Sequence, residues 1–486
     1  MAASYFFYDL ETSGFNPRDQ RIMQFAGQRT DMDLQPIGEP VNVLISLTAE
    51  IAPDPDAIMV TGITPQSTQA DGITEAEFLT YFYQEVVQPD TCFLGYNTVR
   101  FDDEFMRFLH YRNFYDPYEW QWANGCSRWD LLDAVRMTRA LRPEGIEWPF
   151  TPEGKPTNRL ELLTKLNKID HFAAHDALSD VHATIAVAKL LHSKQPKIFD
   201  FLYEHRGKKQ VQDVVNAGQP FVYSTGRYPS EYQKTAVVEK IAEQPQGRGA
   251  YVYDLRCDPS EFLAMNPQQL IDRWRWNRDE DAPLRLPIKL MQYNHCPAVA
   301  PLGVMNEASW KRIQTDLETI KKHRKMLHGD PTFANRVLQA VELMDREQEK
   351  RFAKDADVDA QIYEGFLGNS DKQALRAVRV APAAEIMNFA DKLRDERLKQ
   401  LLPRYKARNH PDSLNDDERR EWEDFRRERL LGETSGRPQS RLATFFNRLQ
   451  ELANDVDTTP ERRYLLEELQ LYGQSIMPLS DDEDQS

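Results

Sequence analysis

The feature that most constrains the fold is the run Tyr5-Phe6-Phe7-Tyr8-Asp9-Leu10-Glu11. It reads as an apolar strand that ends in two acids separated by one leucine. Side chains two apart on a strand share a face, so Asp9 and Glu11 project together from the end of a buried element. Burying two like charges is costly unless something cationic stands between them. A divalent ion such as Mg²⁺, which takes carboxylate oxygens, phosphate and water, is the natural partner. Taken alone, Asp-x-Glu occurs by chance in most proteins, so the rest of the chain has to decide.

That strand belongs to an alternating pattern. Residues 22–30 and 41–45 read as antiparallel partners of the first strand, and Cys92–Asn97 as a short buried parallel strand. Asp103–Phe114 and Asp176–His192 carry helical periodicity. Residues 1–195 therefore predict an α/β domain with a mixed sheet. Lys194-Gln-Pro-Lys marks a break. Residues 221–224, 250–255, 286–293 and 298–304 are short β-like runs between Pro, Gly and Asp clusters, as a small barrel would show. From Asn306 the chain turns helical and charged, with helices expected over 371–379, 384–402, 416–431, 440–454 and 460–472. We place domain borders at 1–195, 196–350 and 351–478, leaving 479–486 as an acidic, disordered tail. At 486 residues, about three domains is also what length suggests.

Charge excludes the simplest kind of nucleic-acid binder. The chain carries 61 Lys and Arg against 77 Asp and Glu, a net of −16, opposite to a protein that binds by bulk positive charge. Residues 1–195 hold 28 acids and 16 bases, so the negative excess sits with the Asp9 strand. The four cysteines form no CxxC, no uncharged apolar run approaches about 18 residues, and the first residues lack the basic start of a secretory signal. A cytoplasmic location, with no membrane partner, is expected.

Two further acidic segments matter. In Asn97-Thr98-Val99-Arg100-Phe101-Asp102-Asp103-Glu104 an acid follows a strand-to-helix turn. Asp103 and Glu104 suit helix capping, whereas Asp102 is better aimed back at the strand ends. In His175-Asp176-Ala177-Leu178-Ser179-Asp180 the last acid lies on an otherwise apolar helix, and a His beside a metal can accept a proton from water. For this segment alone, simple capping by His175 and Asp176 with a solvated Asp180 is the better reading. All three segments in order reverse that balance.

The order Asp-x-Glu, Asn-x-x-x-Phe-Asp, His-x-x-x-x-Asp resembles the His-containing branch of the DEDD exonuclease superfamily. Residues 95–104, 111–118, 127–133 and 141–146, with 358–366 and 405–409, resemble the bacterial exodeoxyribonuclease I family over nearly the whole chain. The resemblance implies a ribonuclease H-like exonuclease domain, an SH3-like β-barrel and a C-terminal α-helical domain. It maps four metal carboxylates onto Asp9, Glu11, Asp102 and Asp180, holding two Mg²⁺ (Mn²⁺ as an alternative), and a general base onto His175. The implied reaction is 3′-to-5′ hydrolysis of single-stranded DNA to 5′-mononucleotides in DNA repair and recombination, by a monomer.

The resemblance also implies that Glu11, Arg107, Tyr118, Trp122, Arg136 and Arg159 contact substrate. It further implies that Arg142 belongs to a pocket for the C-terminal tail of single-stranded DNA-binding protein. Arginines interleaved with aromatics over 107–142 suit a single strand, although more than half of those aromatics are expected to be packing, and Arg159 reads equally as a surface residue. The basic runs 206–209 and 321–325 read equally as a phosphate path or as solvated helix faces. Two alternatives stay open: an RNA 3′ exonuclease of the same superfamily, and an inactive single-strand-binding scaffold.

Overall fold

A computed structural model describes residues 3–171, 176–275, 284–351, 357–433, 439–455 and 459–478. The first sheet has the order β3-β2-β1-β4-β5. Its strands are β1 (Ser4–Thr12), β2 (Ile22–Thr30), β3 (Val41–Leu44), β4 (Thr91–Gly95) and β5 (Ser127–Asp130). β1 pairs antiparallel with β2 and parallel with β4, so the sheet is mixed. Alternation along β1 sorts its side chains cleanly. Phe6, Tyr8 and Leu10 join an aromatic core with Phe25, Phe78, Phe93 and Trp120 on one face. Tyr5 and Phe7 enter the opposite core with the helix Ala177–Lys194. Asp9 and Glu11 continue that second face, so they emerge under this helix.

The second sheet, β10-β6-β7-β8-β9, is antiparallel throughout. It comprises β6 (Phe221–Ser224), β7 (Thr235–Glu243), β8 (Gly249–Asp254), β9 (Ile288–Gln292) and β10 (Ala298–Pro301). It is fastened to the first unit by polar contacts: Arg100 Nη2 donates to Thr225 Oγ1 (2.9 Å), and Arg128 donates to the Asn294 carbonyl.

The C-terminal helices share their interior with the first domain. Met23, Leu47 and Ile51 pack with Leu430, Leu442, Phe445 and Tyr472; Phe108, Tyr111 and Phe114 pack with Val358, Leu401 and Tyr405. Between these apolar contacts lies a buried ionic network. Arg21 pairs with Asp359 (3.1 Å), Arg408 with Glu50 (2.8 Å) and with Asp359 (2.5 Å), and Arg429 with Asp357. Burial raises the Glu50 carboxyl, but Arg408, Arg21 and Arg429 outweigh it and hold it at about 2. The expected single helix over 384–402 is two elements, a 3₁₀ run Ala383–Lys392 and a helix Glu396–Asn409. The first ends where Leu393 turns extended, and Asp395 caps the second by accepting from Arg397 N (2.9 Å). Among the described residues no helix is long and apolar enough to cross a membrane.

Candidate active site

Three of the acids converge. Asp9, Glu11 and Asp180 each place a carboxylate oxygen within 4.8 Å of the others. The helix Ala177–Lys194 brings Asp180 to the end of β1. Its start is set by Asp176, which accepts from Ser179 N (2.9 Å), and by Ala177 N, which donates to Gln24 Oε1 of β2 (3.4 Å). Asp176 is thus a cap, as one reading of the sequence had it, while Asp180 one turn on joins the acids.

Asp102 arrives from β4. The chain leaves that strand through Gly95, where a Cβ would lie 2.5 Å from the Tyr8 carbonyl, and through Asn97 at φ +78. Asp130 of β5 fixes this turn, accepting from Asn97 N (3.0 Å) and Leu132 N (3.0 Å). Asp102 Oδ1 then accepts from Leu10 N (3.1 Å), between the two strand acids. Its neighbour Asp103 points elsewhere, accepting from Tyr8 Oη (2.6 Å) and from Arg128. Asp102 turns back to the strand as expected, but Asp103 is not the expected cap: it is buried on Tyr8 and Arg128, and the helix Asp102–Arg112 has no side-chain cap.

The electrostatics are those of a site that needs a cation. Burial, then Asp102, Asp180 and Asp176, push the Asp9 carboxyl well above its ordinary value. Burial, then Asp9, Asp180 and Asp176, raise Glu11 to about 9. Burial, with Asp103, Asp130 and Glu11, also raises Asp102. Like charges so placed cannot all ionise unless a counter-charge joins them, and an all-oxygen donor set suits a hard divalent cation. His175 lies outside the described residues. A different imidazole, His171, donates from Nε2 to Asp180 Oδ1 (2.5 Å).

A cleft of about 500 Å³ opens where the first domain meets the segment leading to the second and the loop that carries Asn294 and Cys296; none of the four acids lines it. Arg107, Tyr118, Trp122 and Arg128 line it from the first domain, and Arg206 and Lys208 from the segment leading to the second. Trp122 is 65 % exposed, and the Arg107 guanidinium lies 5.4 Å from the Tyr118 ring centre. Arg136 and Arg159 do not line it. Arg136 is turned onto Asp133 (2.5 Å) near Gly226, and Arg159 is an open residue 4.0 Å from Glu161. Arg142 donates to the carbonyls of Leu141 (2.7 Å) and Val304 (2.8 Å), at the contact between domains.

The sequence reading missed Phe15. It is 72 % exposed, four residues after Glu11, with its edge against Phe101 (6.4 Å between ring centres). A bare aromatic just beyond Asp-x-Glu was the available signal.

Family models match consecutive stretches of the chain: Exonuclease over 6–188, Exonuclease I SH3-like domain over 206–342, and Exonuclease I C-terminal domain over 356–476. Exodeoxyribonuclease I of Haemophilus influenzae is 36% identical over 476 residues, covering 97% of this chain and 98% of its own. The chain belongs to the exodeoxyribonuclease I family. It is a 3′–5′ exonuclease, a hydrolase, whose middle sheet is the SH3-like domain of the family. Exonuclease I of Methylocaldum szegediense superposes with a TM-score of 0.91 at 39% identity, covering 98% of this chain and 100% of its own. The Escherichia coli enzyme in complex with a dA16 oligonucleotide superposes with a TM-score of 0.90 at 35% identity and the same coverage. Other solved structures of this family are a zinc-bound complex with single-stranded DNA and an SSB/Exonuclease I structure with an inhibitor.

Proposed function

We propose that this exonuclease degrades single-stranded DNA from the 3′ end, releasing 5′-mononucleotides in DNA repair and recombination. The observation that carries the reading is the convergence of Asp9, Glu11 and Asp180, with Asp102 bonded to the Leu10 backbone between the two strand acids, in a domain that also presents an aromatic and guanidinium-lined cleft. In this reading the four carboxylates hold two divalent cations, Mg²⁺ or Mn²⁺. When bound, such ions neutralise charge building on the scissile phosphate and acidify water.

The chain's own groups do the rest. His175 takes the proton of the attacking water. Trp122 and Tyr118 offer faces to unpaired bases, and Arg107, Arg128, Arg206 and Lys208 face the phosphates. Phe15 meets the base nearest the acids. Arg136, like Arg107 and Arg128, contributes by exchanging its carboxylate partner for phosphate, whereas Arg159 is already open. Arg142, at a contact between domains, receives the acidic tail of single-stranded DNA-binding protein. The protein works as a monomer in the cytoplasm.

The test uses single-stranded DNA labelled at either end, duplex DNA and RNA, each with and without Mg²⁺. Metal-dependent release of mononucleotides from the 3′ end of single-stranded DNA is expected. Asp180→Ala is expected to abolish it while strand binding persists. Turnover by Asp180→Ala, or preference for RNA, refutes the reading.

A further inference from the structure

His171 stands against Asp180 although neither the motif spacing nor the reaction scheme asks for it. Its position is built rather than incidental. The helix Leu160–Leu166 ends at Asn167, Lys168 turns the chain at φ +58, and Ile169 N donates back to the Thr164 carbonyl (3.0 Å). The Ile169 side chain packs on the core under the helix Ala177–Lys194. This hook returns the backbone so that both nitrogens of the ring are engaged. Nδ1 lies 3.2 Å from Thr164 Oγ1, and Nε2 donates to Asp180 Oδ1 at 2.5 Å. The His171 side chain is 5% exposed and Asp180 18%. Thr164 is itself fully buried, its Oγ1 3.0 Å from the Leu160 carbonyl oxygen, and with the ring N–H on Nε2 its hydroxyl proton is the one that can serve Nδ1.

We propose that His171 is a positioning residue: its Nε2–H clamps one oxygen of Asp180, holding that carboxylate in the rotamer that meets Asp9 and Glu11. An Asp on the first turn of a helix has several rotamers open to it, and repulsion from Asp9 and Glu11 favours those pointing away. A donor fixed from behind opposes that repulsion and removes the rotamer freedom before any cation arrives. Partners of this kind orient the groups that ligate metals, and their loss typically weakens metal affinity by about 10- to 100-fold. The inference rests on the reading of Asp180 as a metal-holding carboxylate.

The test measures Mn²⁺ binding to the full-length, DNA-free protein by calorimetry and by the electron paramagnetic resonance signal of free Mn²⁺. His171→Ala is expected to raise the Mn²⁺ dissociation constant about 10- to 100-fold. His171→Gln, whose amide N–H reaches the same oxygen, is expected to restore most of that loss. Thr164→Val, which leaves the ring in place but releases Nδ1, is expected to weaken binding in the same direction by less. This variant keeps the proposal testable if His171→Ala does not fold, as judged by circular dichroism. Unchanged or tighter Mn²⁺ binding in His171→Ala, or equal losses in the Ala and Gln variants, overturns the clamp. If Asp180→Ala also leaves Mn²⁺ binding unchanged, the carboxylate reading itself fails.

Discussion

Removing one charge from the acid cluster should make the metal-free protein sturdier and the enzyme dead. Glu11→Gln is the sharpest version, because Glu11 is 8% exposed and its carboxyl is raised from 4.5 to about 9. A carboxyl raised on folding destabilises above its unfolded value. Below pH ~4.5 both states are protonated and nothing is lost. Between ~4.5 and ~9 the unfolded chain ionises while the folded site keeps its proton, so stability falls as pH rises. At about 1.4 kcal/mol per pH unit, the cost at pH 7 is roughly 3 kcal/mol. The variant escapes it. Urea denaturation in EDTA should therefore show Glu11→Gln more stable than wild type by up to about 3 kcal/mol at pH 7. The gap should close towards pH 4.5. In saturating Mg²⁺ the order should reverse, since only the wild type gains binding energy from the ion. A variant no more stable than wild type at pH 7 in EDTA, with the same pH slope, would show that Glu11 does not share a repulsive site.

Three other outcomes are expected. His175→Ala should slow single-turnover cleavage by about 10²- to 10⁴-fold without weakening DNA binding; an unchanged rate removes it from proton transfer. Trp122→Ala should weaken single-strand binding by about 1–3 kcal/mol in fluorescence titrations, and no loss would mean that no base stacks there. Glu50, held at about 2 by its arginines, lends stability that is present above pH ~4.5 and is lost as pH falls towards 2; this amounts to roughly 3 kcal/mol. Glu50→Gln should flatten that part of the acid-denaturation curve, and an unaltered curve would contradict the network.

The strand that carries Asp9 and Glu11 was readable because its apolar run and its acids both obey a period of two. The turn to Asp102 was readable for a related reason, an apolar strand stopping at a junction with acids, although the reading as a cap failed for Asp103, which also turns back to bond Tyr8 of β1. β7 escaped notice because Thr235–Glu243 ends in Glu-Lys-Ile-Ala-Glu, which has no two-residue alternation. β5 escaped because four residues are too few for a pattern to register. The helix expected over 384–402 merged two elements because Asp395, a cap in space, looks like any acid in a charged run. Contacts made by arginines were the least legible. Arg136 reaches Asp133 and the second domain, and a one-dimensional interleaving of arginines with aromatics does not encode which way a guanidinium turns. His171 meets Asp180 only because a hook at Lys168 reverses the chain.

The salt-bridge lattice of Arg21, Glu50, Asp359 and Arg408 has a consequence for the architecture as a whole. Deleting the C-terminal domain would leave Arg21 and Glu50 without their partners Asp359 and Arg408. The nuclease domain is therefore no detachable cassette: its charges and its apolar interior are completed by the C-terminal helices, so removing either part leaves buried ions of the other unpaired.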